Sequence, residues 1–149
     1  MIKDQSINIM LADDDEDDRN FFNDAIKELK INNNLTVFKN GSELMDYLEQ
    51  PDTLLPHILF LDLNMPSKSG NECLREIRQN PKFKDMSIAI YSTSSSDKDI
   101  EETFVGGANI YIKKPNDFGN LKKVLKEVVN INWQFHTSGL NKDTFFFSI

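Results

Sequence analysis

The sequence predicts an α/β domain built on one doubly wound parallel sheet with helices on both faces. Five apolar runs of strand length alternate with five segments of helical periodicity, which is the pattern of parallel strands joined by helical crossovers. Turn residues mark the boundaries, among them Asn40–Gly41, Pro51, Pro56, Pro66, Gly70, Pro81, Gly106–Gly107 and Pro115. Right-handed crossovers leave few topologies. The expected strand order is 2-1-3-4-5, with a switch point between strands one and three where such sheets place their ligands.

Strand one is read at Ile7–Ala12 (INIMLA), which runs into six consecutive acids, Asp13 to Asp18. Phe21, Phe22, Ala25, Ile26 and Leu29 then recur at helical spacing. Residues 35–38 make a short strand two. Asn40 and Gly41 open a second helix carrying Leu44, Met45, Tyr47 and Leu48. Strand three is residues 58–63, and ILFLD reads as a strand buried on both faces that ends in an acid. Gly70 precedes helix three, whose inner face is Cys73, Leu74 and Ile77. Ser87–Ser92 is strand four, Asp97–Val105 a weaker helix four, and 109–112 strand five. Lys113, Lys114 and Pro115 follow, and helix five carries Leu121, Val124, Leu125, Val128 and Val129.

A chain of 149 residues favours one domain with a real core. Its net charge of -7 argues against nucleic acid, because phosphate backbones attract basic surfaces. No apolar run approaches 18 residues and Met1–Ser6 has no leader character, so neither a membrane span nor secretion is expected. The single cysteine, Cys73, cannot form an internal disulfide, and a reducing cytoplasm fits.

In the expected topology Asp13, Asp14 and Asp62 end adjacent strands. Three converging carboxylates repel one another unless one takes a proton or a cation neutralises them. Their hard oxygens suit Mg²⁺ or Mn²⁺, held by a few carboxylates and water with room for a phosphoryl oxygen. Ser92 adds a hydroxyl and Lys114 a cation able to pair with that oxygen. Phosphoryl transfer is largely positioning and charge neutralisation, and Asp62 is the expected nucleophile, forming an acyl phosphate.

The acid pair Asp13–Asp14, the LDLNMPSKSG segment with Asp62, Ser92 in IYSTS and Lys114–Pro115 in IKKP together resemble the receiver domain of bacterial two-component response regulators, most closely the stand-alone, chemotaxis-regulator-like type. The resemblance spans residues 7–133. It implies the flavodoxin-like (βα)5 fold, whose strand order is also that of the chemotaxis member, and phosphorylation of Asp62 by a histidine kinase or phosphotransfer protein. It further implies Mg²⁺ on Asp14 and Asp62, with Asp13 acting largely through water and the Asn64 main-chain carbonyl as a further ligand. Ser92 and Tyr111 would form the switch pair that alters the face of helix four, strand five and helix five. Asn64 and Ser94 would tune dephosphorylation. The chain would be no enzyme toward outside substrates, acting through a downstream protein target.

Serine at Ser92 replaces the family's commoner threonine and keeps the hydroxyl. A pseudo-receiver that has lost phosphorylation is the first alternative, opposed by the complete constellation. A Mg²⁺-dependent phosphatase is the second, opposed by Asn64 standing where its commonest pattern, D-x-D, needs an acid. An EF-hand reading of 13–24 fails because Asp18 occupies the glycine position and Asp24 the glutamate position. Glu16, Asp17 and Asp18 are expected to be helix-dipole acids. Lys113, His57 and His136 are expected at the surface or in packing roles. Residues 134–149 form an extension too short for a DNA-binding domain. Its Phe145–Phe147 run is expected to dock on the domain, on a second copy or on a partner.

Overall fold

The strand side chains alternate between two apolar layers, and this alternation fixes which helix packs where. Residues 6–135 and 146–147 are described by a computed structural model. The elements are β1 (Ile7–Ala12), α1 (Glu16–Lys27), β2 (Asn33–Phe38), α2 (Gly41–Leu48), β3 (Ile58–Leu61), α3 (Gly70–Gln79), β4 (Ser87–Ser92), α4 (Asp97–Val105), β5 (Ile110–Lys113), α5 (Phe118–Phe135) and β6 (Phe146–Phe147). Ile9, Leu11, Phe60 and Tyr91 face one layer with Phe22 and Ile26 of α1 and Val124 and Val128 of α5. Met10, Ala12, Leu59, Leu61 and Ile90 face the other with Leu44 of α2, Leu74 of α3 and the partly buried Phe104 of α4. Phe22 is fully buried, its ring edge-on to Phe60 and Tyr91 at centroid distances of 5.0 and 5.5 Å.

Polar caps start the helices where the strands leave off. Asp15 caps α1, Asn40 caps α2, Ser96 caps α4, and Ser69 forms a reciprocal capping box with Glu72 on α3. Asp117 accepts from the Asn120 N–H at the start of α5.

The sheet is parallel in the order β2-β1-β3-β4-β5, as the sequence predicts, and β6 extends it beyond β5. Phe146 and Phe147 pair in parallel with Tyr111 and Ile112, so residues from the extension lie along the β5 edge. The strand limits differ from the sequence reading in small ways. β2 starts at Asn33 because Asn33 and Asn34 already register with Ile7 and Asn8, and the Asn34 amide donates to Asn8 Oδ1 at 3.1 Å. β3 ends at Leu61, which leaves Asp62 in the loop, and α5 continues through residue 133 to Phe135. Phe145 and His136 lie outside the described residues. Among the described residues no helix is long and apolar enough to cross a membrane.

Candidate functional site

The site forms where β1, β3, β4 and β5 end together. Ala12 lies opposite Leu61, and Leu61 opposite Ile90, so the residues that follow leave the sheet side by side. The Asp62 N–H donates to the Ala12 carbonyl at 3.0 Å and the Asp13 N–H to the Phe38 carbonyl at 3.1 Å. Sheet hydrogen bonding thus carries one residue past each strand and fixes both acids. Gly70 pins the same corner from behind. Its N–H donates to the Leu63 carbonyl at 3.0 Å, and a Cβ there would collide with the Asp62 carbonyl oxygen and lie 2.8 Å from Leu63 Cα. Ser67 completes the turn in a left-handed conformation (φ 69°), which costs a non-glycine residue on the order of 1 kcal/mol.

Asp13 and Asp62 are buried, 0% and 5% exposed, whereas Asp14 is exposed. Carboxylate oxygens from all three lie within 4.8 Å of one another. The cation among them is Lys114, whose side chain is 9% exposed. Its ammonium stands 2.9 Å from Asp13 Oδ2 and 3.4 Å from Asp62 Oδ2, and it packs over the Tyr91 ring with 5.3 Å to the centroid. Its backbone N–H donates to the Ser92 carbonyl at 2.7 Å, which ties the end of β5 to that of β4.

Burial pushes the Asp62 carboxyl up from 3.8 to about 7. Lys114 works against that rise, and the charge of Asp13 adds to it. Burial alone would push the Lys114 ammonium down. The close carboxylates of Asp13, Asp18 and Asp62 outweigh it and hold the ammonium above the ordinary lysine range. One ammonium does not satisfy every oxygen. Asp13 Oδ2 is buried and accepts no well-directed hydrogen bond, although Lys114 is close. An orphaned buried carboxylate oxygen, next to two further carboxylates, is the donor set that a small divalent cation completes.

Ser92 is buried, and its hydroxyl oxygen accepts from the Ser94 N–H at 3.1 Å. Tyr111 is fully buried and donates its hydroxyl to the Ser94 carbonyl at 2.8 Å. Burial raises its phenol pKa, and hydrogen bonds from Ser92 and Ser94 oppose the rise. The Ser94 hydroxyl bonds Asp99 Oδ2 at 2.6 Å, in the first turn of α4. Asn64 is exposed, and its N–H reaches Asp62 Oδ1 only at 3.4 Å. Lys113 is exposed. His57 is exposed and accepts the Asn8 N–H on Nδ1 at 2.9 Å.

Asp18 does more than its expected role. Expected as a helix-dipole acid, it stands in the first turn of α1 and is also the shortest contact of the Lys114 ammonium, at 2.8 Å. That contact joins residues 96 apart in sequence, and nothing in the local pattern of the acid run distinguishes Asp18 from Asp17.

Residues 9–126 match the response regulator receiver domain family. The chain is 31% identical over 127 residues to the response regulator Rcp1 of Synechocystis sp., covering 83% of this chain and 84% of that one. Its fold superposes on the phosphorylated cyanobacterial phytochrome response regulator RcpA with a TM-score of 0.80, at 27% identity, covering 87% of this chain and 96% of RcpA. The Mn²⁺-bound form of response regulator Rcp1 gives a TM-score of 0.75 at 26% identity, covering 90% and 97%. With the family match extending over most of its length, the chain belongs to the response regulator receiver domain family.

Proposed function

We propose that this receiver domain is a phosphoacceptor switch in which Asp62 takes a phosphoryl group from a histidine kinase or phosphotransfer protein. The observation that carries this reading is the charge arrangement at the strand ends. Two buried carboxylates share one buried ammonium, an exposed third lies beside them, and one buried oxygen is left without a proper donor.

In the transfer, a carboxylate oxygen of Asp62 attacks the donor phosphorus. The P–N bond to the donor imidazole breaks, and its electron pair stays on nitrogen. Lys114 pairs with a phosphoryl oxygen, and the Ser92 hydroxyl bonds another. Asp13, Asp14, Asp62 and the Asn64 carbonyl would hold Mg²⁺ or Mn²⁺, which neutralises charge on the carboxylates and the phosphoryl oxygens when bound. The Mn²⁺-bound form of Rcp1 is a precedent among the relatives.

The response is read through Ser92 and Tyr111. Tyr111 bonds the Ser94 carbonyl while the Ser94 side chain bonds Asp99, so a shift of this loop pulls on both β5 and the first turn of α4. This biases the α4-β5-α5 face between two arrangements and so changes binding of a downstream protein. Asn64 and Ser94 flank the phosphoryl position and tune its hydrolysis. The protein works in the cytoplasm as a signalling module without DNA-binding activity. Residues 134–149 act as an extension that docks on the domain, with Phe146–Phe147 on β5 as its anchor.

The test is intact-protein mass after incubation with Mg²⁺ and acetyl phosphate. One added phosphoryl group that is absent from Asp62→Asn is expected. Steady turnover of an added phosphomonoester without labelled protein would overturn the reading.

A further inference from the structure

The Lys114 ammonium makes its shortest contact with a residue outside the constellation just described. Its ammonium is 2.8 Å from Asp18 Oδ2, 2.9 Å from Asp13 Oδ2 and 3.4 Å from Asp62 Oδ2. The ammonium donates to Asp18 at 2.8 Å and to Asp62 only at the longer 3.4 Å, while Asp13 Oδ2 lies close without a well-directed bond. Asp18 is the third residue of α1, and its own N–H is held by the Asp15 side chain at 3.1 Å. The first turn of α1 therefore fixes where the Asp18 carboxylate stands, and that carboxylate in turn helps fix Lys114.

We propose that Asp18 is a positioning residue that holds the Lys114 ammonium on the α1 side of the pocket, off the Asp62 oxygens. Two consequences follow from the geometry. Without the Asp18 carboxylate, Lys114 closes on Asp62 and Asp13 and competes with a divalent cation for their oxygens. The closer ammonium also draws electron density from the Asp62 oxygen that must attack phosphorus. Asp18 is suited to this role because its side chain is 37% exposed while that of Asp13 is 0%. Water can solvate the Asp18 carboxylate when Lys114 turns to a phosphoryl group, whereas the Asp13 carboxylate is buried.

The dipole role first expected for Asp18 makes a different prediction. A helix-dipole acid acts through its charge alone, so Asp17, its neighbour in the same turn, would serve equally well. The test compares Asp18→Asn, Asp18→Glu and Asp17→Asn with wild type. The first measurement is Mn²⁺ affinity in the absence of phosphodonor; the second is the rate of labelling by acetyl phosphate at saturating Mg²⁺.

Asp18 and Asp62 oxygens bound to one nitrogen lie at most about 6 Å apart, which sets the expected loss of Mn²⁺ affinity in Asp18→Asn at about three- to ten-fold. Labelling should slow in the same variant, Asp18→Glu should restore both properties, and Asp17→Asn should lose less affinity than Asp18→Asn. Equal losses in Asp17→Asn and Asp18→Asn, or labelling in Asp18→Asn as fast as wild type or faster, would overturn the assignment. The labelling arm rests on the phosphoacceptor reading of Asp62, but the affinity arm needs no phosphodonor. A wild-type chain that binds Mn²⁺ and is never labelled would refute that reading and leave Asp18 to be judged by affinity.

Discussion

Replacing Asp62 by asparagine should make the protein more stable when no divalent cation is present. The carboxyl is 5% exposed and its pKa is raised from 3.8 to about 7, chiefly by burial. A carboxyl with a raised folded pKa binds its proton more tightly in the native state than in the unfolded chain. Its contribution to stability is complete below pH 3.8 and is lost as pH rises through about 7. At about 1.4 kcal/mol per unit, the full loss is on the order of 4 kcal/mol. Asparagine keeps the shape and can still accept from the Asn64 N–H, but it gives Lys114 a weaker partner. The value of about 7 already contains the opposing pull of Lys114, so a gain of up to about 4 kcal/mol is expected above pH 7, equivalent to several degrees in melting temperature for a domain of this size. Urea unfolding in EDTA should show the two proteins equally stable near pH 4, diverging up to pH 7 and parallel above it. Added Mg²⁺ should stabilise wild type more than the variant, because ligand binding to the native state adds to stability. Asp62→Asn being less stable than wild type at pH 8 in EDTA, with an unchanged denaturant slope, would refute the claim that Asp62 is a strained buried charge.

Lys114→Ala should cost about 3–5 kcal/mol without divalent cation, because it strips buried Asp13 and Asp62 of their shared counter-charge. Mg²⁺ should recover part of that stability while the response to phosphodonor stays lost; full stability in EDTA would show that the pocket tolerates its own charge. Gly70→Ala should lose at least about 2 kcal/mol in chemical denaturation, since its Cβ would strike the Asp62 carbonyl oxygen, and a neutral result would mean that the turn moves freely. A chain ending at Phe135 removes β6 and bares the β5 edge. It should melt at a lower temperature and show a higher mass by light scattering, because an open sheet edge invites pairing. An unchanged mass together with an unchanged melting temperature would count against any docking role for the extension.

Much of this was legible in the sequence because it depends on local pattern. The run ILFLD announces both a buried strand and the acid at its end, and Asn40 with Gly41 announces a helix start. Crossover handedness leaves few strand orders and the resemblance to receiver domains favours one of them, so the meeting of Asp13, Asp14 and Asp62 could be anticipated. What escaped the sequence depends on contacts between distant elements. Asp15 and Asp18 belong to one acid run, yet Asp15 caps its own helix while Asp18 reaches across to Lys114. The Ser94 hydroxyl could be placed near the site, but its bond to Asp99 required the actual path of the loop before α4. Phe146 and Phe147 carry no periodicity that would assign them to a strand, and their place beside Tyr111 and Ile112 comes from the open β5 edge.

The most direct measurement of the central claim is the position of the covalent phosphoryl group. After reaction with acetyl phosphate and Mg²⁺, borohydride reduction of the acyl phosphate and peptide mapping should mark Asp62 alone. A mark on Asp13, Asp14 or any other residue, or no mark in protein shown to bind Mn²⁺, would contradict the account.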